Sequence, residues 1–323
     1  LAAAINHAES SARLDPGSAT AILGLGRSYD ARADYAPARA LFSREGEREP
    51  AAMESSFYAA RSFMPAGDRS SALCWLRRSQ AAHPVSFESG SHLLLVNGCL
   101  EDFAAAGYWS AWLDRRVTNQ PQALALQARH HYLTGNFESA VQTSNIALRL
   151  ELLGDWHADT IFMRIKRDEA LAAGLPQSGI SLFAQRHPDL FLPNPVISPG
   201  NIMQAVDLAY LYRLAGQGSR ARDLASRAIE AYGETRFVSG SSRAWLIPSR
   251  AEALAVLGDH DAALQELERI VDAGWRIHWR WETDLNPNFD ALREEPRFRQ
   301  LVDALESDMA TQRMQAGLYA ESL

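Results

Sequence analysis

Three short stretches of the sequence carry residue types that could do chemistry. Gly24 and Gly26, in a Gly-Leu-Gly run, could form part of a phosphate-binding loop. The adjacent histidines His130 and His131 could bind a metal ion, and the Ser-Gly-Ser-Ser-Arg run at 239–243 could present a nucleophile. Each chemistry requires particular neighbours and a particular supporting element, and those requirements decide which stretch qualifies.

The Gly-Leu-Gly run lacks the context of a dinucleotide-binding loop. Such a loop needs a strand before the glycines, a helix that opens after them, and a third glycine. Gly24 and Gly26 lie inside a helical pattern, and Tyr29 occupies the place of the third glycine. We therefore interpret both glycines as packing residues, small enough to let two helices approach closely.

The histidine and serine stretches also lack catalytic or metal-binding context. Neighbours on a helix point about 100° apart, so His130 and His131 cannot chelate a metal together, and we expect one to pack and the other to face solvent. The serine run is predicted to be a loop that leads into a helix, with Ser242 as the N-cap. No established nucleophile or zinc-protease motif is present. The sequence predicts no catalytic residue, metal or cofactor.

Cys74 and Cys99 form no CxxC motif and no Cys/His cluster. They are assigned to the second helix of one repeat and the first helix of the next, which should be neighbours. Two interpretations stay open: buried free thiols, or a disulfide, which would imply an oxidising compartment. The cytoplasm is favoured, with the periplasm as the alternative if a membrane segment lies upstream.

The composition excludes several classes of protein. The 323 residues are 47% hydrophobic, which is enough for a large core, and the formal net charge of −7 argues against a nucleic-acid-binding role. No apolar run approaches the roughly 18 residues that span a membrane, so no membrane insertion is expected. Acidic pairs such as Asp168-Glu169 and Glu294-Glu295 are interpreted as solvated helix faces. Residue 1 is Leu, and the chain is expected to be part of a longer protein.

A repeat of 34 residues organises the chain. Pro16, Pro50 and Pro84 are spaced by this step, and small and apolar residues follow it as well. Each unit shows two apolar stripes with helical spacing. The first stripe is Ile22, Leu25, Gly26 and Tyr29, and the second is Ala38, Leu41 and Phe42. The spacing predicts pairs of helices stacked in tandem.

These residues resemble the tetratricopeptide repeat (TPR). The matching positions are Leu25, Gly26, Tyr29, Ala38, Phe42 and Pro50. Ile22 replaces the usual Trp, and Glu45 replaces a usual small residue. The resemblance implies an all-α fold, an α-solenoid or superhelix of TPR-like helix pairs with a C-terminal capping helix.

We predict one superhelix over residues 1–323, with roughly seven helix pairs. Its parts are a remnant of a preceding repeat (1–18), the two clearest repeats (19–52 and 53–86), degenerate repeats (87–186), a Pro-rich loop (187–201), further repeats (202–273) and a Trp-rich C-terminal cap (274–323).

The cap carries a second resemblance. Trp275, Trp279 and Trp281 are predicted to pack the end of the array rather than to form a ligand cage, and a helix is expected from about Pro296. The run W-x-x-D-x-x-x-x-F-D-x-L-R-x-x-P-R-F, residues 281–298, resembles the end of certain bacterial multidomain signalling proteins. In those, TPR arrays follow a winged-helix, adenylate cyclase or protein kinase domain. The resemblance implies a sensory or regulatory region with an output domain upstream.

The first helix of each pair lines the concave groove of such arrays. The predicted binding residues on this face are Arg27, Asp30, Arg61, Met64, Arg129 and Tyr132. A ladder of guanidinium groups suits carboxylates or phosphates, so an acidic peptide, a protein segment or a small anionic ligand is the expected partner. The alternative is that these arginines pair with Asp30 or Glu54.

The leading functional hypothesis is a non-catalytic binding module that relays occupancy to an output domain. Two alternatives stay open: an assembly scaffold that forms a homo-oligomer through the first repeat, and an enzyme with a scattered site near residues 187–201.

Overall fold

The computed structural model describes residues 2–117, 120–150, 156–234 and 248–321, and within them every regular element is a helix. The α-helices are α1 (Ala2–Leu14), α2 (Ala19–Asp30), α3 (Tyr35–Arg48), α4 (Met53–Phe63), α5 (Arg69–Ala82), α6 (Phe87–Cys99), α7 (Phe103–Asp114), α8 (Pro121–Leu133), α9 (Phe137–Arg149), α10 (Trp156–Ala172), α11 (Pro176–Arg186), α12 (Ile202–Leu214), α13 (Gly218–Glu234), α14 (Ser249–Leu257), α15 (His260–Asp272) and α16 (Pro296–Glu321). Short 3₁₀ turns occupy Met64–Ala66, Pro188–Phe191 and Pro287–Leu292, and a π turn occupies Trp281–Leu285.

The second helix of a pair begins at a capping residue that recurs every 34 residues. The side chains of Asp68, Asp102 and Asn136 each accept a hydrogen bond from the backbone N–H three residues further on, over 2.9, 3.0 and 3.3 Å. The residue before each cap has a positive φ, of 79°, 57° and 79°. Because such a cap contributes about 1 kcal/mol, the sequence sets the turn within these three pairs locally.

Small residues mark the points where the helices of a pair cross. Ala38, Ala72, Ala106 and Ala140 follow the same 34-residue step, and each is fully buried. A larger side chain at these positions would push the two helix axes apart. The repeat in the sequence is therefore a repeat in the packing.

The two glycines of the Gly-Leu-Gly run have different surroundings. A Cβ at Gly26 would lie 2.5 Å from Cε1 of Phe42, so the packing role predicted for Gly26 is confirmed. A Cβ at Gly24 would meet no atom within 4 Å, so the same prediction is wrong for Gly24. Residue 24 faces open space, where the fold makes no demand for a glycine.

The pairs stack into a curved array. Each helix packs against the next along the chain, and the first helices of successive pairs also contact one another from α6 to α14. These contacts place α6, α8, α10, α12 and α14 on the inside of the curve. With α2 and α4, the first helices of the preceding pairs, we call them the inner helices. The predicted all-α solenoid of TPR-like helix pairs is confirmed.

The end of the chain returns to its beginning. After α15, residues 274–295, which we call the closing segment, enter the concave side, and α16 then packs against both α15 and α5. Gly274 passes the first repeats so closely that a Cβ would lie 2.6 Å from the carbonyl oxygen of Pro65. One hydrophobic core accordingly joins residues of the 38–100 region with residues of the 251–316 region.

The structure describes one of the two predicted loops, and the other lies outside the described residues. Residues 187–201 connect α11 to α12 through one 3₁₀ turn and irregular backbone. The Ser-Gly-Ser-Ser-Arg run and its predicted N-cap Ser242 lie outside the described residues. None of the helices in the described ranges combines the length and apolar character needed to cross a membrane.

Candidate functional site

The closing segment occupies most of the concave face. It meets the inner helices at successive points, beginning at α6, where the indole Nε1 of Trp279 donates to the carbonyl oxygen of Cys99 over 2.9 Å. At α8, the rings of Trp281 and Tyr132 lie 4.5 Å apart, centroid to centroid. The Pro287–Leu292 turn then packs against α12 and α14. The groove is filled by the protein's own chain along this length.

Aromatic burial anchors the first half of the closing segment. Trp275, Trp279 and Trp281 are at most 3% exposed. Polar contacts fix their register: the Arg280 guanidinium binds the Glu101 carboxylate over 2.5 Å and lies 4.2 Å over the Trp279 ring. A buried Trp removes on the order of 200 Å² from water, so these rings dominate the attachment.

A buried ionic network anchors the second half. Arg164 of α10 binds three carboxylates at once: Asp207 of α12 over 3.0 Å, Glu252 of α14 over 2.6 Å, and Glu282 of the closing segment over 2.6 Å. Beside it, Arg167 binds Asp207 over 2.6 Å. Since all of these side chains are buried, the network ties three inner helices and the closing segment into one unit.

The network also contains a residue that the sequence placed in solvent. Asp168 was predicted to lie on a solvated helix face, and this is wrong, because Asp168 is buried. Its carboxylate accepts hydrogen bonds from Arg167 Nε over 2.8 Å and from the Tyr132 hydroxyl over 2.9 Å. Burial raises the pKa of Asp168, which Arg167 partly offsets. The residue faces inward because α10 runs under the closing segment.

The pKa values of the other two carboxylates on the inner helices, Asp207 and Glu252, shift in opposite directions. Burial alone would raise the pKa of Asp207, but Arg164 and Arg167 hold it below its usual value. At Glu252, burial together with the nearby carboxylates of Glu282 and Asp207 outweighs Arg164 and raises the pKa to about 7.

Two of the predicted binding residues lie beneath the closing segment. Arg129 is 3% exposed, and its Nη1 lies 2.7 Å from Nε2 of His278. Burial lowers the pKa of Arg129 to about 10. Tyr132 stacks on Trp281 and donates its hydroxyl proton to Asp168. In this closed form both residues bind the protein's own chain.

Three of the other predicted residues, Arg27, Asp30 and Arg61, lie at the open end of the groove, on α2 and α4. Arg27 forms an ion pair with Glu54, and its guanidinium carbon lies 4.6 Å from the centroid of the Tyr58 ring. The guanidinium of Arg61 lies 5.8 Å from the same centroid. Partial burial raises the pKa of Asp30, and Arg61 opposes that shift.

The structure thus brings Arg27, Asp30 and Arg61 together. It separates them from Met64, which is buried in the core beyond the end of α4. Sequence reasoning missed Tyr58, the ring that the two arginines share. The available signal was its position, three residues before Arg61, which places both side chains on one helix face.

The remaining candidates for chemistry are dispersed. His130 and His131 are both half-buried, which differs from the expected split into one packed and one solvated ring. Burial lowers the pKa of His130 to about 4. Across the described ranges, no group of three or more His, Cys, Asp or Glu side chains could hold a metal ion. Cys74 and Cys99 are both free thiols.

Comparisons with known proteins place the fold. No model of a known protein family matches the sequence, and no curated protein matches it. The solved structure of the APC/C hetero-tetramer Cut9–Hcn1 matches with a TM-score of 0.54 at 11% identity, over 93% of this chain and 52% of that one. This chain therefore spans about half the length of that protein. At this identity the similarity concerns the fold alone.

Two further solved structures are similar to a lesser degree. One is the signal transduction ATPase (STAND) PH0952 from Pyrococcus horikoshii, with a TPR sensor, at a TM-score of 0.49 and 14% identity, over 97% of this chain and 52% of that one. The other is the TPR domain of P58(IPK), at a TM-score of 0.28 and 12% identity, over 96% of this chain and 93% of that one.

Proposed function

We propose that the chain is a non-catalytic binding module. Its site is the open end of the concave face on α2 and α4, and its partner is an acidic peptide, an acidic protein segment or a small anionic ligand. One observation carries this proposal: the closing segment fills the groove from α6 onward, whereas Arg27 and Arg61 converge on Tyr58 at the end that stays open. Two guanidinium groups near one aromatic ring form a surface suited to carboxylates.

The ion pair already present at this site does not prevent binding. Arg27 and Glu54 have side chains that are 45% and 50% exposed. An exposed pair of this kind is worth about 0–1 kcal/mol, so an incoming carboxylate can replace Glu54 at little cost. The contact between Arg164 and Glu282 is an internal precedent, because there an arginine of an inner helix holds a carboxylate from the closing segment.

The test is a binding titration with fluorescein-labelled hexaglutamate as the probe, followed by fluorescence anisotropy. We expect the wild-type protein to bind it and the Arg27→Ala/Arg61→Ala variant to lose at least about tenfold in affinity, since each charge-assisted hydrogen bond contributes about 1.5–3 kcal/mol. Inorganic phosphate should compete if the site accepts small anions.

A matched control separates a specific site from loss of charge. Arg39 and Arg78 lie on the outer helices α3 and α5, and each also stacks on an aromatic ring, Phe63 or Trp75, at 4.9 and 4.8 Å. The Arg39→Ala/Arg78→Ala variant removes the same charge and should keep wild-type affinity. Equal losses in the two double variants, or no loss in either, would contradict the proposal.

We also propose that this module is the sensory or scaffolding part of a larger bacterial signalling or transcriptional regulator. The support is the resemblance of residues 281–298 to the ends of such proteins. The test is the reading frame of the full gene: a winged-helix, adenylate cyclase or protein kinase domain upstream is expected, and an adjoining domain with no regulatory activity would contradict the assignment.

A further inference from the structure

The buried ionic network carries more negative than positive charge. Two of its arginines, Arg164 and Arg167, bind four carboxylates, which are Asp168, Asp207, Glu252 and Glu282. A third buried guanidinium, that of Arg129, interacts with Glu282, so the four carboxylates still outnumber the cations. Water does not screen these groups, because all of them are buried. Four ionised carboxylates therefore repel one another strongly, and a proton on one of them relieves the repulsion.

Glu252 is the carboxyl group placed to hold that proton. Its Oε2 accepts hydrogen bonds from Arg164 over 2.6 Å and from Asn288 Nδ2 over 2.8 Å. Its Oε1 is buried and has no hydrogen-bond partner among the described residues. Asp207, by contrast, uses both oxygens: Oδ2 accepts from Arg164, and Oδ1 accepts from Arg167 and Asn288. Only one oxygen of Glu252 is compensated.

The groups around Glu252 come from every side of the network. Arg164 faces it from α10, Asp207 from α12, and Glu282 and Asn288 from the closing segment. The other charged residue at the start of α14, Arg250, binds Glu266 of α15 over 3.1 Å and leaves the network alone. One cation, two acids and one amide therefore set the protonation state.

Arg220 and Arg227 of α13 form their hydrogen bonds outside the ionic network. Arg227 binds Asp223 within the same helix, and Arg220 donates to Gln217 just before it.

We propose that Glu252 is protonated in the folded protein near neutral pH, and that its ionisation weakens the attachment of the closing segment, which makes the closure of the array proton-dependent. This proposal is independent of the binding site at the open end of the groove. Its physical basis is that Asn288, in the closing segment, donates to Glu252, and that Arg164 binds both Glu252 and Glu282. Charge on Glu252 therefore acts directly on the closing segment.

The sign of the dependence follows from linkage. The pKa of Glu252 is about 7 in the closed form, above its ordinary value of 4.5. The closed form therefore binds the proton more tightly than an opened form in which water reaches Glu252. Closure is strongest at low pH and weakens as the pH rises from 4.5 towards 7, by up to about tenfold per pH unit, with no further change from this group above 7.

The experiment is hydrogen–deuterium exchange of the closing segment from pH 5 to 8, corrected for the intrinsic pH dependence of amide exchange. In the wild-type protein we expect protection of residues 281–292 to fall as the pH approaches 7. The Glu252→Gln variant, which keeps the shape and the hydrogen bonds to Oε2, should lose most of that dependence. A wild-type slope in Glu252→Gln would overturn the proposal.

Two further measurements keep the test decisive. Glu45 is a buried glutamate in α3 that binds Arg48 over 2.6 Å outside the network, so Glu45→Gln should keep the wild-type slope. If Glu252→Gln does not fold, carboxyl-labelled glutamate in the wild-type protein gives the answer by carbon-13 NMR. One glutamate carboxyl is expected to titrate near pH 7; the absence of any that titrates above pH 6 would overturn the proposal.

Discussion

The substitution Gly26→Ala tests the packing of the helix pairs most locally. A Cβ at residue 26 would lie 2.5, 2.8 and 3.0 Å from three atoms of the Phe42 ring. The ring cannot withdraw, because it is fully buried and stacks on Tyr58 with the ring centroids 5.3 Å apart. Extra volume in a packed core costs about 1–3 kcal/mol, and three close ring atoms favour the upper part of that range.

Helix propensity acts in the opposite direction. Alanine is more favourable than glycine inside a helix by about 1 kcal/mol. Gly26→Ala should therefore lose about 1–2 kcal/mol in the free energy of unfolding. Gly24→Ala lies in the same helix and meets no atom within 4 Å, so it should gain about 1 kcal/mol. The two variants make a matched pair that differs only in what the new methyl group touches.

The assay is urea denaturation followed by circular dichroism, with both variants and the wild-type protein measured in the same buffer. The midpoint of Gly26→Ala should fall below the wild-type midpoint, and that of Gly24→Ala should rise above it. If both midpoints rise together, the close crossing of α2 and α3 does not exist, and the interpretation of the 34-residue repeat is refuted.

Three other substitutions or reactions probe separate parts of the fold. Arg164→Met leaves three buried carboxylates without their shared cation and should lower the free energy of unfolding, measured by thermal denaturation, by about 3–5 kcal/mol. The control Arg227→Met, at an exposed ion pair, should stay within about 0.5 kcal/mol of the wild-type protein. Asp102→Ala removes the cap of α7 and should lower the free energy of unfolding by about 1 kcal/mol. No loss would show that packing alone sets the start of α7. In the native protein Cys74, which is partly exposed, should react with a thiol reagent before Cys99, which is 3% exposed, and equal rates would contradict the burial of α6.

The sequence predicted the repeats because their signals are local. The cap at Asp68 and the small residue at Ala72 act within one turn of each other, and the same pair recurs 34 residues later at Asp102 and Ala106. Spacing of this kind determines where a helix starts and which face it packs, without reference to the rest of the chain.

The path of the closing segment could not be predicted in the same way. Arg164 and Glu282 are separated by 118 residues, and nothing near Arg164 distinguishes a buried arginine from one on a solvated face. The same absence of local signal explains why Asp168 was placed in solvent and why Arg129 was assigned to an open groove. The three tryptophans did indicate burial, but tryptophan spacing does not say against which helices a segment packs.

The central claim is that, among the residues that the structure describes, the concave face is closed by residues 274–295 from α6 onward and stays open at α2 and α4. Hydrogen–deuterium exchange of the wild-type protein at pH 6 tests it directly, with the amides of Asn194 and Val196, two exposed residues in the irregular backbone of the 187–201 loop, as the fast-exchanging reference. The amides of residues 281–292 should exchange as slowly as those of α10 and α12. Exchange of residues 281–292 at the rate of the reference loop would show that the segment lies outside the groove.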